Sequence, residues 1–389
     1  MTTDKLLDPQ HLIALARQQT GLHDFDDLPF EEPLRRLTTA LNEEANLNPA
    51  GRQTWHYRLL NILSGRLRAN DWFKRKPEIL EEKIVAPLVI LGLTRTGTTL
   101  LQRLIAADSR FYSAAWWENR FPVPEADDIR GEKRIAMAKA EVAAILTASP
   151  ELAAIHPWDA MGADEDILLL DQTLYSTTSE TMASISSYHE WLGQQDMRPA
   201  YAYLKKMLQL LQWQKKQRGL DAQRWLLKTP MHLGNVDIIV EVFPDAQFIQ
   251  THRDPLQTLP SYASMIHSLW HAGSDKIDAN LAGYIGGSVM RRDLYRCMAA
   301  REKLPASKFF DVDFRETVTD PVGLIGRIYD YFGMPVTDKA RQQIQTYMDS
   351  NPREKRPPHN YTLEQFGYSE AGVKEDFREY RKRYIDPNA

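Results

Sequence analysis

Residues 86–101 read Ala-Pro-Leu-Val-Ile-Leu-Gly-Leu-Thr-Arg-Thr-Gly-Thr-Thr-Leu-Leu, and few folds can hold such a segment. Its short, continuous apolar run, rich in branched residues and closed by Gly92, predicts a strand buried on both faces. Leu100, Leu101, Leu104 and Ile105 then recur with helical spacing, so a glycine-framed turn leads from strand to helix. Such a turn brings backbone N–H groups close to an anion, and the helix N-terminus adds favourable partial charge. Gly92 and Gly97, five positions apart, reproduce the glycine frame of the nucleotide-binding P-loop, G-x-x-x-x-G-K-S/T. Thr98 stands where an NTPase has its lysine, which counts against ATP or GTP hydrolysis and against an ordinary kinase. The cation is instead Arg95, in mid-loop. This pattern suits a nucleotide with a short, singly extended 5′ chain.

Three later segments have the same strand character: Trp225–Leu227, Phe248–Gln250 and Phe309–Val312. Helical stretches lie between them, among them Lys133–Ala148 and Pro199–Arg218, the latter stopping at Gly219. Strands alternating with helices imply a parallel sheet covered on both sides. The first 80 or so residues read as helices. Asp8 caps the first, with Pro9 at its opening position, and Glu31–Asn42 and Arg52–Lys74 follow. In the tail, Val373, Phe377, Tyr380 and Tyr384 align on one predicted helix. The expected fold is α/β: a P-loop-like parallel sheet flanked by helices over residues 81–389, with a helical N-terminal extension over 1–80.

A second anchor lies at residues 248–262, where a strand again leads into a helix. Asp254 can cap that helix and Pro255 fits its first position. Arg253 sits at the strand's end, where open parallel sheets bind ligands. Ser261, eight residues on, offers a further donor. A bidentate fork plus a hydroxyl suits a terminal phosphate; a structural ion pair for Arg253 is the alternative. Pro260 predicts a kink in the helix.

Composition narrows the function. Lys plus Arg number 48 against 52 Asp plus Glu, a net charge of −4, which argues against a general nucleic-acid binder. One cysteine, Cys297, excludes an intrachain disulfide scaffold and a Cys-based zinc site. The His, Asp and Glu spacings offer no convincing metal site. The longest apolar stretch, Ala86–Leu93, falls far short of the roughly 20 residues that span a bilayer. No basic start precedes an apolar run, so the expectation is a soluble cytoplasmic chain with no membrane span.

Taken together, these segments resemble the sulfotransferases that use 3′-phosphoadenosine 5′-phosphosulfate (PAPS), over roughly residues 85–335. Arg95-Thr96-Gly97-Thr98-Thr99 is similar to that family's 5′-phosphosulfate loop, and Arg253 with Ser261 to its 3′-phosphate pair. Leu227-Lys228-Thr229-Pro230 is similar to its Lys-x-Pro strand end. Phe310-Asp311-Val312-Asp313-Phe314 and Phe332-Gly333-Met334-Pro335 resemble its last strand and helix. Arginine in the first loop is the form found in the tyrosylprotein branch and many bacterial relatives. The cytosolic branch's Arg-Lys-Gly tail is absent. Asn351-Pro352-Arg353-Glu354-Lys355 resembles a bacterial tail instead, in which Arg353 and Lys355 either close over the cofactor or form a solvated basic run.

The resemblance implies in-line sulfuryl transfer from PAPS, without a metal, to a hydroxyl of a small, partly apolar alcohol or phenol. Arg95 and Lys228 are the candidate cations for the charge on the leaving phosphate. The hydroxyl needs a general base. Glu118, 23 residues beyond Arg95 after one helix and a short strand, resembles by position the base of the tyrosylprotein branch. His232 is the second candidate; histidine suits the task near neutral pH. A salt-bridged carboxylate and a backbone-bonded helix-start histidine are the structural alternatives. Asp164-Glu165-Asp166 and His156-Pro157-Trp158 fall where substrate loops belong, and the acidic triplet either positions a polar substrate or starts a solvated helix. For most of Trp116, Trp117, Trp158, Trp191 and Trp270, core burial is the expectation. A P-loop phosphotransferase or NTPase and a non-catalytic nucleotide-binding protein of the same fold are the competing functions. The N-terminal helices suit either a scaffold or a homodimer contact.

Overall fold

In the computed structural model, which describes residues 6–125, 128–148, 156, 158–351 and 361–386, strand β1 (Leu88–Gly92) is buried at every position. Its side chains alternate between two hydrophobic clusters. Val89 and Leu91 join Trp225, Leu227 and Phe248 on one face; Leu88 and Ile90 join Leu226 and Ile249 on the other. Burial on both faces is what an interior parallel strand requires. Each aliphatic side chain so covered contributes roughly 1.5–3 kcal/mol.

Four more strands complete a parallel sheet: β2 (Phe111–Tyr112), β3 (Arg224–Lys228), β4 (Gln247–His252) and β5 (Phe309–Asp313). The order is β2-β3-β1-β4-β5, so β1 lies at the centre with β3 and β4 beside it. Val89 pairs with Leu227 on one side and Phe248 on the other. The carboxyl ends of β1, β3 and β4 therefore lie together, the edge at which α/β sheets bind ligands.

The N-terminal helices α1 (Pro9–Thr20), α2 (Glu31–Glu43) and α3 (Pro49–Arg75) begin close to their predicted positions. Asp8 accepts the His11 N–H at 2.7 Å, the predicted cap. Leu12, Leu34, Leu59 and Leu63 share one cluster with the sheet face that holds Val89 and Leu91. The other face is covered by α4 (Thr98–Ala106) and the helix Pro321–Tyr331, through Leu101, Leu104, Leu324 and Ile328.

One prediction differs from the structure, in the tail. The helix Pro255–His271 continues through Pro260, its sixth residue, which removes one ladder bond near the start. The tail forms two helices, Glu370–Asp376 and Arg378–Tyr384, parted at Phe377. Val373, Phe377 and Tyr380 still enter the core together.

Candidate active site

The turn after β1 has a left-handed backbone at Arg95 (φ 74°) and at Gly97 (φ 82°). Left-handed conformations in such a turn aim successive N–H groups at one point and form an anion-binding nest. Thr96 holds the shape. Its hydroxyl donates to the Leu93 carbonyl at 2.6 Å and shares a hydrogen bond with Thr251 Oγ1 at 2.7 Å, and the residue is fully buried. Gly92 is required by crowding: a Cβ there would run into the Thr251 hydroxyl. Among the described residues no side chain caps α4, and the N–H groups of a helix's first turn suit an anion.

Two cations reach this turn from the neighbouring strands. From the end of β3, buried Lys228 donates through Nζ to Thr99 Oγ1 at 3.2 Å and pairs with Glu165. From the end of β4, Arg253 donates through Nη1 to the Arg95 carbonyl at 2.8 Å, lies 4.2 Å above the Phe314 ring, and bonds Gln257 through Nε. Burial lowers its pKa from the ordinary arginine value. Ser261, about two turns into the helix that Asp254 caps, accepts the Arg95 Nε–H at 3.2 Å. The sequence-predicted anchors thus meet: Arg95, Ser261 and Arg253 form one contiguous clasp beside the nest.

The clasp sets Arg95, Arg253 and Ser261 beside the α4 N-terminus, with Lys228 reaching the same turn, a set of donors and cations that suits an anionic ligand. Among the described residues, no group of three or more His, Cys, Asp or Glu is arranged to hold a metal ion.

Comparison with known proteins decides the family. The family model described as "Sulfotransferase family" matches residues 87–338, from the start of β1 past the last sheet helix. The chain belongs to the sulfotransferase family. Sulfotransferase STF1 from Mycobacterium tuberculosis superposes with a TM-score of 0.82 at 30% identity, covering 95% of this chain and 98% of that one. Sulfotransferase STF9 from Mycobacterium avium gives a TM-score of 0.87 at 27% identity, covering 97% and 96%. The Omega-hydroxy-beta-dihydromenaquinone-9 sulfotransferase Stf3 of Mycobacterium bovis is 25% identical over 319 residues, 78% of this chain and 76% of its own.

In this sulfotransferase the two candidate bases sit in other company. Glu118 is buried on the five-residue helix Trp116–Arg120, bonded to Lys215 at 2.6 Å and to Arg218. Burial pushes its carboxyl pKa up, but the Lys215 and Arg218 charges outweigh this and hold it below the usual range. A carboxylate neutralised by two cations is a weak proton acceptor, and this arrangement is the salt-bridged alternative to the base role. His232 is fully buried, with Nε2 on Asp166 at 2.7 Å and Nδ1 on Tyr201 at 2.9 Å. Both ring nitrogens are engaged, which leaves none for an acceptor hydroxyl. The Thr96 hydroxyl is likewise occupied, so only its main chain is available to a ligand. Arg353 and Lys355 lie outside the described residues.

The acidic triplet was expected as a substrate-positioning group or a solvated helix start, yet two of its members are buried. Asp166 accepts the Lys228 N–H at 2.7 Å as well as His232, and Asp164 bonds His156 Nε2 at 2.8 Å. Burial raises both carboxyl pKa values; the paired histidines, with further hydrogen bonds, bring them below normal. Glu165 alone of the three keeps a partly open side chain, 23% exposed against 6% and 3% for its neighbours. Trp116, Trp117 and Trp270 are core residues, as expected, whereas Trp158 is half-buried beside His156.

Proposed function

We propose that this sulfotransferase moves a sulfuryl group from PAPS to the hydroxyl of a small, partly apolar acceptor. The observation that supports this most is the clasp: Arg253 held 2.8 Å from the Arg95 carbonyl and Ser261 held 3.2 Å from the Arg95 side chain, beside an uncapped helix N-terminus. It offers two anion sites joined by shared residues, as a 3′-phosphate and a 5′-phosphosulfate on one nucleoside require. Bound there, PAPS supplies a sulfuryl group on a good leaving phosphate.

The chain's residues have separable tasks. Thr96 and Gly97 shape the nest, and the N–H groups of Thr98 and Thr99 receive the phosphosulfate. Arg95 and Lys228 hold positive charge where the leaving oxygen becomes negative. Arg253 and Ser261 fix the 3′ end and with it the alignment of the reacting atoms. The Stf3 relative is named for a long apolar molecule that ends in a hydroxyl. Half-buried Trp158 and exposed Met161, near the acidic triplet, favour an acceptor of similar character here.

The test is to incubate protein, radiolabelled PAPS and a panel of phenols, alkyl alcohols and isoprenoid alcohols. Transfer of label to one acceptor class is expected. ATP-dependent phosphoryl transfer with no sulfated product would favour the phosphotransferase alternative.

A further inference from the structure

We propose that Glu165 is the general base that takes the acceptor's hydroxyl proton. This rests on the sulfotransferase reading of the site above. Three observations carry it.

The first is position. Glu165 pairs with Lys228 Nζ, and the same Nζ donates to Thr99 Oγ1 at 3.2 Å, on the first turn of the helix that the loop opens. Glu165 is therefore one side chain away from the nest. Neither Glu118 nor His232 has such a contact.

The second is mounting. The segment is pinned on both sides of Glu165. The Asp164 carbonyl accepts from Gln102 Nε2 at 2.9 Å and from Asn119 Nδ2 at 3.2 Å, and Ala163 bridges to Ala115. Asp166 is fixed by the Lys228 main chain and His232. The Glu165 N–H itself donates to Asp164 Oδ1 at 2.7 Å. A base held this firmly loses little freedom when it engages a substrate.

The third is access. Asp164 and Asp166 spend their carboxylates on His156 and His232, whereas among the described residues the Glu165 side chain pairs with an ammonium that has a second partner in the loop. When an anion occupies the nest, Lys228 has a stronger partner there, and Glu165 is left to accept a hydrogen bond from an incoming hydroxyl. His156, also partly open, is turned to Asp164.

The step balances within these groups. The acceptor O–H bond breaks, and its proton goes to a Glu165 carboxyl oxygen. The acceptor oxygen forms a bond to sulfur as the sulfur–oxygen bond to the 5′-phosphate breaks. That electron pair stays on the phosphate, beside Lys228.

The experiment compares wild type, E165Q and H156Q. It measures affinity for adenosine 3′,5′-bisphosphate by calorimetry and turnover of two acceptors, an alkyl alcohol and a phenol acidic enough to be ionised at neutral pH. In E165Q, turnover of the alcohol should fall by about 100-fold or more, whereas the ionised phenol, which needs no base, should lose less than about fivefold. Bisphosphate affinity should stay within about threefold of wild type, and the acid limb of the alcohol's pH–rate profile should disappear. Equal losses for both acceptors, or a parallel loss of bisphosphate affinity, would show that Glu165 only positions Lys228 and would overturn the proposal. So would an acid limb lost in H156Q and kept in E165Q. A wild-type protein that neither binds the bisphosphate nor transfers sulfate would overturn the sulfotransferase reading itself.

Discussion

The Arg253 guanidinium donates through Nη1 to the main-chain carbonyl of Arg95 at 2.8 Å, so the end of β4 holds the loop that follows β1. Arg253 therefore fixes the left-handed turn at Arg95, and the proposed function gives it a second job, binding the 3′-phosphate. Replacing it with alanine should cost about 2–3 kcal/mol of binding, a loss of roughly 30–150-fold in affinity for adenosine 3′,5′-bisphosphate. Lysine at the same place keeps the charge but loses the fork and the stacking on Phe314, and should recover only part of the affinity. Calorimetry on the three proteins checks this; an alanine variant that binds as wild type would remove Arg253 from the site.

Lys228 acts at the opposite side of the loop. Its ammonium is placed by Thr99 and Glu165, and its main-chain N–H is tied to Asp166. A cation aimed at developing charge contributes more to the transition state than to binding. Lys228→Met should lower kcat by about 10²–10³ while bisphosphate affinity falls less than about tenfold. A loss confined to KM would mean that the lysine binds the ground state alone.

The difference between what the sequence announces and what it hides is one of range. The loop is legible because its signals are local: Gly92, Gly97 and the apolar strand lie within one short segment. Caps such as Asp8 and Asp254 are legible for the same reason. The helix Ala279–Arg301 is harder to read, because its buried face includes Ala282, Gly283 and Gly286, which dilute the apolar period. Strand β2, the short strand expected between the first helix and Glu118, is only two residues long. Glu118 is a candidate base through its positional resemblance to the tyrosylprotein branch, whereas its ion-pair partners Lys215 and Arg218 lie 97 and 100 residues away. Likewise His232 is defined by Asp166, 66 residues distant, and Glu165 by Lys228, 63 residues distant. Three acids in a row show no period, so the sequence does not say which one faces the loop.

Glu118 gives a prediction about stability rather than rate. Replacing it with glutamine leaves the Lys215 and Arg218 charges facing each other in a buried cluster. The cost should be about 3–5 kcal/mol, seen as a lower denaturation midpoint, while kcat per folded molecule stays near wild type. The pH dependence has a definite sign. The folded-state pKa is depressed, so the unfolded chain binds the extra proton first, and stability rises with pH in that window. The contribution is complete above the ordinary glutamate range and is lost as pH falls through the folded value. Wild type and variant should therefore converge in stability on acidification. A variant of normal stability that lost kcat a hundredfold would restore Glu118 as the base.

Cys297 offers a check on the packing around the sheet. It is fully buried on the helix Ala279–Arg301, and its thiol donates to Gln250 Oε1 at 3.4 Å. Burial pushes its pKa up to about 12, and Asp311 and Asp293 add to this against the opposing Arg301 charge. The reactive species is the thiolate, so at pH 8 the folded protein should react with an aromatic disulfide reagent only as fast as it opens. In denaturant, one equivalent of thiol should titrate at once, since the chain contains one cysteine. Because the helix also sends Arg301 to Gln250 and Asp311, at the β4 and β5 pair next to the clasp, a ligand that rigidifies the clasp should slow the opening. Adding adenosine 3′,5′-bisphosphate should reduce the thiol reaction rate of the folded protein in proportion to occupancy. Immediate reaction without denaturant would mean that β4 is not sealed by this helix.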